Sequence, residues 1–125
     1  MTGPEIYPDN ELLLTQGAGD VAKWYGGWPT FHDARIVDAH FSLIAASSLT
    51  FELDRSYQGH AGDVAAVTIF LGKIVDLEMR GFSGSVLGVT FYRLGSLIRI
   101  IVEGAFKFEA SLDTDSIAFE ISVVG

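Results

Sequence analysis

The stretch Arg35-Ile36-Val37-Asp38-Ala39-His40-Phe41-Ser42-Leu43-Ile44-Ala45-Ala46-Ser47-Ser48-Leu49-Thr50-Phe51-Glu52-Leu53-Asp54-Arg55-Ser56-Tyr57 decides the fold. Its apolar residues recur every second position. Val37, Ala39, Phe41, Leu43 and Ala45 form one set, and Leu49, Phe51, Leu53 and Tyr57 form a second. Asp38, His40 and Ser42, then Thr50, Glu52, Asp54 and Ser56, occupy the alternate positions. A period of two places alternate side chains on opposite faces of a strand, so the pattern predicts two half-buried strands. Ser47-Ser48 is the expected turn or bend between them.

The same pattern continues to the end of the chain. Gln58 to Asp63 read as a loop, and residues 64–71 are apolar on both faces, as in a central strand. Gly72 marks a bulge or turn. Val75, Leu77 and Met79 then alternate with Asp76, Glu78 and Arg80. Two further strands flank Leu94-Gly95-Ser96, a predicted hairpin. Phe106, Phe108, Ala110 and Leu112 alternate with charged and polar residues, Asp113-Thr114-Asp115 reads as a turn, and Ile117 to Val123 close the pattern. About eight strands on short connections imply an all-β antiparallel meander, because parallel crossovers require helices. A two-sheet sandwich and a partly open barrel satisfy this pattern equally.

Upstream of Arg35 the chain changes character. Residues 1–16 read as an N-terminal arm, with Pro4 and Pro8 around Ile6-Tyr7. Residues 17–34 hold one short helix and a turn. Asp20 is the expected N-cap, Val21, Trp24 and Tyr25 share a helical face, and Gly26-Gly27 with Pro29 stop the helix. Residues 35–125 carry the β-structure, within a single domain of 125 residues.

Composition narrows the function classes. Eight basic residues against sixteen acids give a net charge of −8, which disfavours phosphate backbones and anionic membranes. The same charge would steer a basic protein partner. With no cysteine, disulfides and thiolate chemistry are excluded, consistent with a cytoplasmic protein. The sequence shows neither a signal-peptide pattern nor an apolar run approaching the roughly 20 residues of a membrane helix.

The candidate chemical sites are sparse. Asp38 with His40, His32 with Asp33, and His60 with Asp63 are the possible metal ligands, but none has the spacing of a three- or four-ligand site. No metal or cofactor is expected, although a metal-assisted hydrolase using Asp38, His40 and His32 stands as one reading. No G-x-S-x-G elbow occurs, and Gly81-Phe82-Ser83-Gly84-Ser85 leads to Val86 rather than to a phosphate-binding lysine. Glu52/Asp54 and Asp76/Glu78 are carboxylate pairs on strand faces, a spacing that any solvated face produces. The chain therefore reads as non-enzymatic. Trp24, Tyr25, Trp28 and Phe31 form either a hydrophobic plug or the rim of a small-ligand pocket.

The segment Tyr25-Gly26-Gly27-Trp28-Pro29-Thr30-Phe31-His32-Asp33-Ala34, running straight into a strand, resembles the immunity protein 50 family. Val67-Thr68-Ile69-Phe70-Leu71-Gly72-Lys73-Ile74-Val75-Asp76-Leu77 is similar to a downstream stretch of that family. The resemblance implies a small soluble bacterial protein that neutralises a polymorphic toxin by binding it, with no catalytic residues. Within the signature, Trp28, Pro29, Phe31, His32 and Asp33 are expected to be structural. The outward acids Asp38, Glu52, Asp54, Asp76 and Glu78 are the expected contacts with a basic toxin, and a homodimer through edge strands or sheet faces is also open.

Overall fold

The computed structural model describes residues 5–54, 63–81 and 84–124. Among these, the elements run β1 (Glu5–Ile6), α1 (Asp9–Leu12), α2 (Ala18–Tyr25), β2 (Arg35–His40), β3 (Ser47–Asp54), β4 (Val64–Leu71), β5 (Ile74–Arg80), β6 (Val86–Leu94), β7 (Leu97–Gly104), β8 (Glu109–Thr114) and β9 (Ile117–Val124). They form two antiparallel sheets, β1-β6-β7-β8-β5 and β2-β3-β4-β9, stacked as a sandwich and not closed into a barrel. Two meander blocks, β2-β3-β4 and β6-β7-β8, are joined by two crossings between sheets. Gly72-Lys73 carries β4 into β5, and Asp115-Ser116 carries β8 into β9. The crossings bond to each other: Gly72 N–H donates to the Ser116 carbonyl at 2.9 Å, and Lys73 N–H donates to Asp115 Oδ1 at 2.8 Å.

The alternation read from sequence fills the space between the sheets. Leu49, Phe51 and Leu53 of β3 point inward, as do Ala65, Val67, Ile69 and Leu71 of β4. Val89, Phe91, Ile100, Val102 and Leu112 meet them from the other sheet. Each such large side chain contributes about 1.5–3 kcal/mol by leaving water. Strand β4 lies inside its sheet between β3 and β9, which suits its apolar character. On its outer face the Thr68 hydroxyl meets that of Thr50 at 3.0 Å.

Several local expectations are corrected. The first long strand ends at His40, and a bulge between Ile36 and Asp38 shifts its phase. Ile36 faces the core while Val37 is turned out, 47% exposed. Beyond His40 the Ser42 hydroxyl accepts the N–H groups of Ile44 and Ala45, and Ser42 N–H donates to Ser47 Oγ. These side-chain bonds replace a ladder and leave Leu43 and Ile44 in solvent. Helix α2 begins three residues earlier than Asp20 suggests in its cap: Gly17 is the N-cap and Asp20 lies in the first turn. Asp113 and Thr114 belong to β8 and are buried, because Arg99 on β7 supplies a partner for the Asp113 carboxylate. Phe106 precedes β8 in a turn with positive φ at Phe106 and Lys107, and is exposed instead of inward. Ser56, Tyr57 and His60 lie outside the described residues.

Candidate functional site

A sandwich of two stacked sheets has two lateral openings, and here they differ. On one side β6 lies over β9, with the Phe91 and Phe119 rings 5.8 Å apart. Trp28 stands between them, 6.1 Å from Phe91 and 5.1 Å from Phe119, edge-on to both. Helix α2 packs along β9 and buries Ala18, Val21 and Tyr25. The Tyr25 hydroxyl donates to the Leu53 carbonyl at 2.9 Å. Arg93 on β6 pairs with Glu11 of α1 and lies 4.8 Å above the Tyr7 ring. On this side the gap between the sheets is filled by aromatic rings, and a surface groove remains beside Trp28.

The signature segment crosses the end of the sandwich and ties the sheets together. Val86 N–H donates to the Ala34 carbonyl and Asp33 N–H to the Val86 carbonyl, both at 2.9 Å. Ile36 N–H donates to Gly84 O at 2.9 Å, and Val89 N–H to Thr30 O at 3.3 Å. Phe31 is fully buried between Trp28 and Phe51, and Pro29 and Ala34 are buried beside it. Phe31 and Asp33 adopt left-handed backbone, with φ of 65° and 67°. Such conformations persist where surrounding bonds over-determine them. The His32 ring Nδ1 lies 3.0 Å from the Leu87 carbonyl, and its Nε2 lies 3.6 Å from Asp33 Oδ1. Both side chains face solvent.

On the other side β5 lies over β2, and the opening is unfilled. A narrow cleft of about 30 Å³ runs between them, lined by Ile36, Ala39, Phe41, Met79 and Leu112 among others. A second groove, of about 310 Å³ and sharing Phe41 with the cleft, lies between Phe41-Ser42-Leu43 and Ile74 to Leu77. Leu77 and Met79 are 39% and 46% exposed, although the residues paired with them on β8, Leu112 and Ala110, are buried. Ala39 is too small to cover them from β2. Val37, Leu43, Ile44 and Val75 are exposed as well, and Leu43 and Val75 line the groove.

The predicted contact acids divide between faces. Asp38, Glu52 and Asp54 lie on the outer face of the β2-β3-β4-β9 sheet, while Asp76 and Glu78 lie on the outer face of the other. They do not make one flat surface. Asp38 and Asp76 with Glu78 are nevertheless outward residues of β2 and β5, the edge strands on either side of the cleft, and Asp76 lines the groove beside it. Glu52 is paired with Arg35 at 2.6 Å, one strand in from the edge. Asp54 shares a dish of about 210 Å³ with Asp33, Arg35 and Glu52. Behind β5, Arg99 binds Asp113 through two bonds, at 2.7 and 2.9 Å. Hydrogen bonding to Asp113 raises the Arg99 pKa against the opposing effect of burial, and the charges of Asp113, Asp76 and Glu78 raise it further. The Arg99 guanidinium is thus bonded to Asp113 and lies in the field of Asp76 and Glu78, with Arg80 the third outward residue of β5.

The aromatic quartet is divided between buried packing and a groove wall. Tyr25 and Phe31 are buried, and Trp24 packs edge-on to Tyr25 at 4.7 Å. Of the tryptophan and tyrosine rings proposed to rim a pocket, Trp28 lines a groove of about 270 Å³ with Tyr7, Thr30 and Leu87, and Trp24 and Tyr25 do not. His40 is exposed on β2. Among the described residues no three His, Asp or Glu side chains gather as a metal site requires, and no helix is long and apolar enough to cross a membrane.

Sequence reasoning placed Asp38, Asp76 and Glu78 on outward strand faces but did not show the apolar cleft between β2 and β5. A partial signal was Leu43-Ile44-Ala45-Ala46, four apolar residues in succession that a half-buried strand cannot place on one face, of which Leu43 lines the groove. Comparison with family models, with curated proteins and with solved structures found no match.

Proposed function

We propose that this chain is a non-enzymatic, immunity-type bacterial protein that neutralises a basic toxin by binding it through the open β2/β5 side. The observation that carries the reading is an apolar cleft between two edge strands whose outward residues are acidic, Asp38 on β2 and Asp76 with Glu78 on β5. The net charge of −8 and the likeness of the Trp28 to Ala34 segment to immunity proteins support it. Apolar side chains at the centre with charges at the rim is the usual anatomy of a protein interface. The carboxylates would raise the rate of encounter with a cationic partner, and the cleft would hold it. The absence of cysteine fits a cytoplasmic setting for this role.

The test is co-purification with the toxin domain encoded beside this gene, followed by titration at rising salt. Binding that weakens as salt rises, and that falls at least about tenfold in Asp76→Lys/Glu78→Lys, is the expected result. No complex with that toxin, or a complex indifferent to both salt and charge reversal, overturns it.

A further inference from the structure

The four edges of the two sheets are not equally protected. An edge strand presents unpaired N–H and C=O groups, which proteins cover, shorten or distort to prevent added pairing. Strand β1 has two residues. Strand β2 is bulged in its middle, between Ile36 and Asp38. Strand β9 has α2 packed along it. Strand β5 has seven residues without proline, its outward residues are Asp76, Glu78 and Arg80, the last at its C-terminal end, and its irregularity lies at its start, between Ile74 and Asp76. From Asp76 to Arg80 it is regularly paired with β8 and, among the described residues, with no strand on its other side.

Resting on the toxin-binding reading, we propose that β5 receives an extended segment of the partner as a sixth strand of its sheet, with Lys or Arg at alternate positions and apolar residues between them. Strand addition of this kind takes affinity from main-chain bonds and specificity from alternate side chains. The outward residues of the added strand would lie beside Asp76 and Glu78, where opposite charges across strands are favourable. Its inward residues would cover Leu77 and Met79, whose exposure marks the missing neighbour. A second copy of this chain fits less well. Two β5 strands paired antiparallel over their full length set Asp76 of each copy opposite Glu78 of the other, and both chains carry a charge of −8.

The experiment is amide hydrogen exchange of the full chain, read by NMR, with a capped seven-residue peptide alternating lysine and valine. The expected result is slowing of exchange by at least about tenfold at amides of β5, lost when the peptide backbone is N-methylated along one edge. A glutamate–valine peptide should protect nothing, and Asp76→Lys/Glu78→Lys should reverse the preference between the two peptides. Protection elsewhere, equal effects of the methylated peptide, or no protection at millimolar peptide overturns strand addition, while co-purification with the toxin would leave the broader reading standing. Protection of β5 by the peptide without toxin binding would instead remove the toxin reading. Concentration-dependent dimers with β5 amides already protected would make the occupant a second copy and overturn the basic partner.

Discussion

The two lateral sides of this sandwich are built from the same kind of strand and end in opposite states. Where β6 meets β9, an arm, two short helices and Trp28 are spent on closing the gap. Where β5 meets β2, a bulge, an alanine and a serine-bonded loop leave it open. On the proposed reading the difference separates stability from recognition: substitutions on the closed side should be expensive, and those on the open side cheap.

The sharpest way to break the closed side is Phe31→Ala. Phe31 is fully buried against Trp28 and Phe51, so its truncation should cost about 3–5 kcal/mol, read as a lower urea midpoint. Gly17→Ala should come next. Gly17 has φ of 82°, and a Cβ there would stand 1.8 Å from the Phe119 carbonyl oxygen, so about 3 kcal/mol is expected from strain and displaced backbone. Arg99→Met tests the buried anchor behind β5. It strands the Asp113 carboxylate, and about 2 kcal/mol should be lost, the partial exposure of Arg99 having been discounted. The double change Arg99→Met/Asp113→Leu should recover much of that loss. Smallest of all, Leu77→Thr on the open side should shift stability by under about 1 kcal/mol and yet weaken partner binding. A large loss of stability there, by thermal melting, would show that β5 is a core strand and end the contrast.

The two sides were also unequally legible in sequence. Strands β3 and β4 follow directly from alternation, because their inward residues have the opposite sheet over them. Strand β2 misled only at its start, because the bulge at Val37 puts Ile36 inward and Val37 outward, while Asp38, Ala39 and His40 keep the faces the alternation predicts. Asp113 read as a turn residue because its justification, Arg99, lies on a different strand. Which sheet β5 and β9 join was not readable: Gly72-Lys73 and Asp115-Ser116 cross between sheets, yet look like hairpin loops. Asp38, Asp76 and Glu78 were visible as outward acids. That they fall on the two edge strands flanking one cleft depends on strand order, which single strands do not encode.

The bonds between the signature segment and the start of β6 also carry a consequence for the order of assembly. His32 and Leu87 meet across 55 residues of chain, and β4 pairs with β9 across a comparable span. Trp28 needs Phe91 and Phe119 before it is enclosed. During synthesis, then, the aromatic plug is made early and stays wet until nearly the whole chain has emerged. Folding dominated by such distant contacts is expected on the scale of milliseconds to seconds. A chain interrupted before Ile117 would display Trp28 and Phe91 with nothing to close over them, a surface on which a chaperone or protease could act.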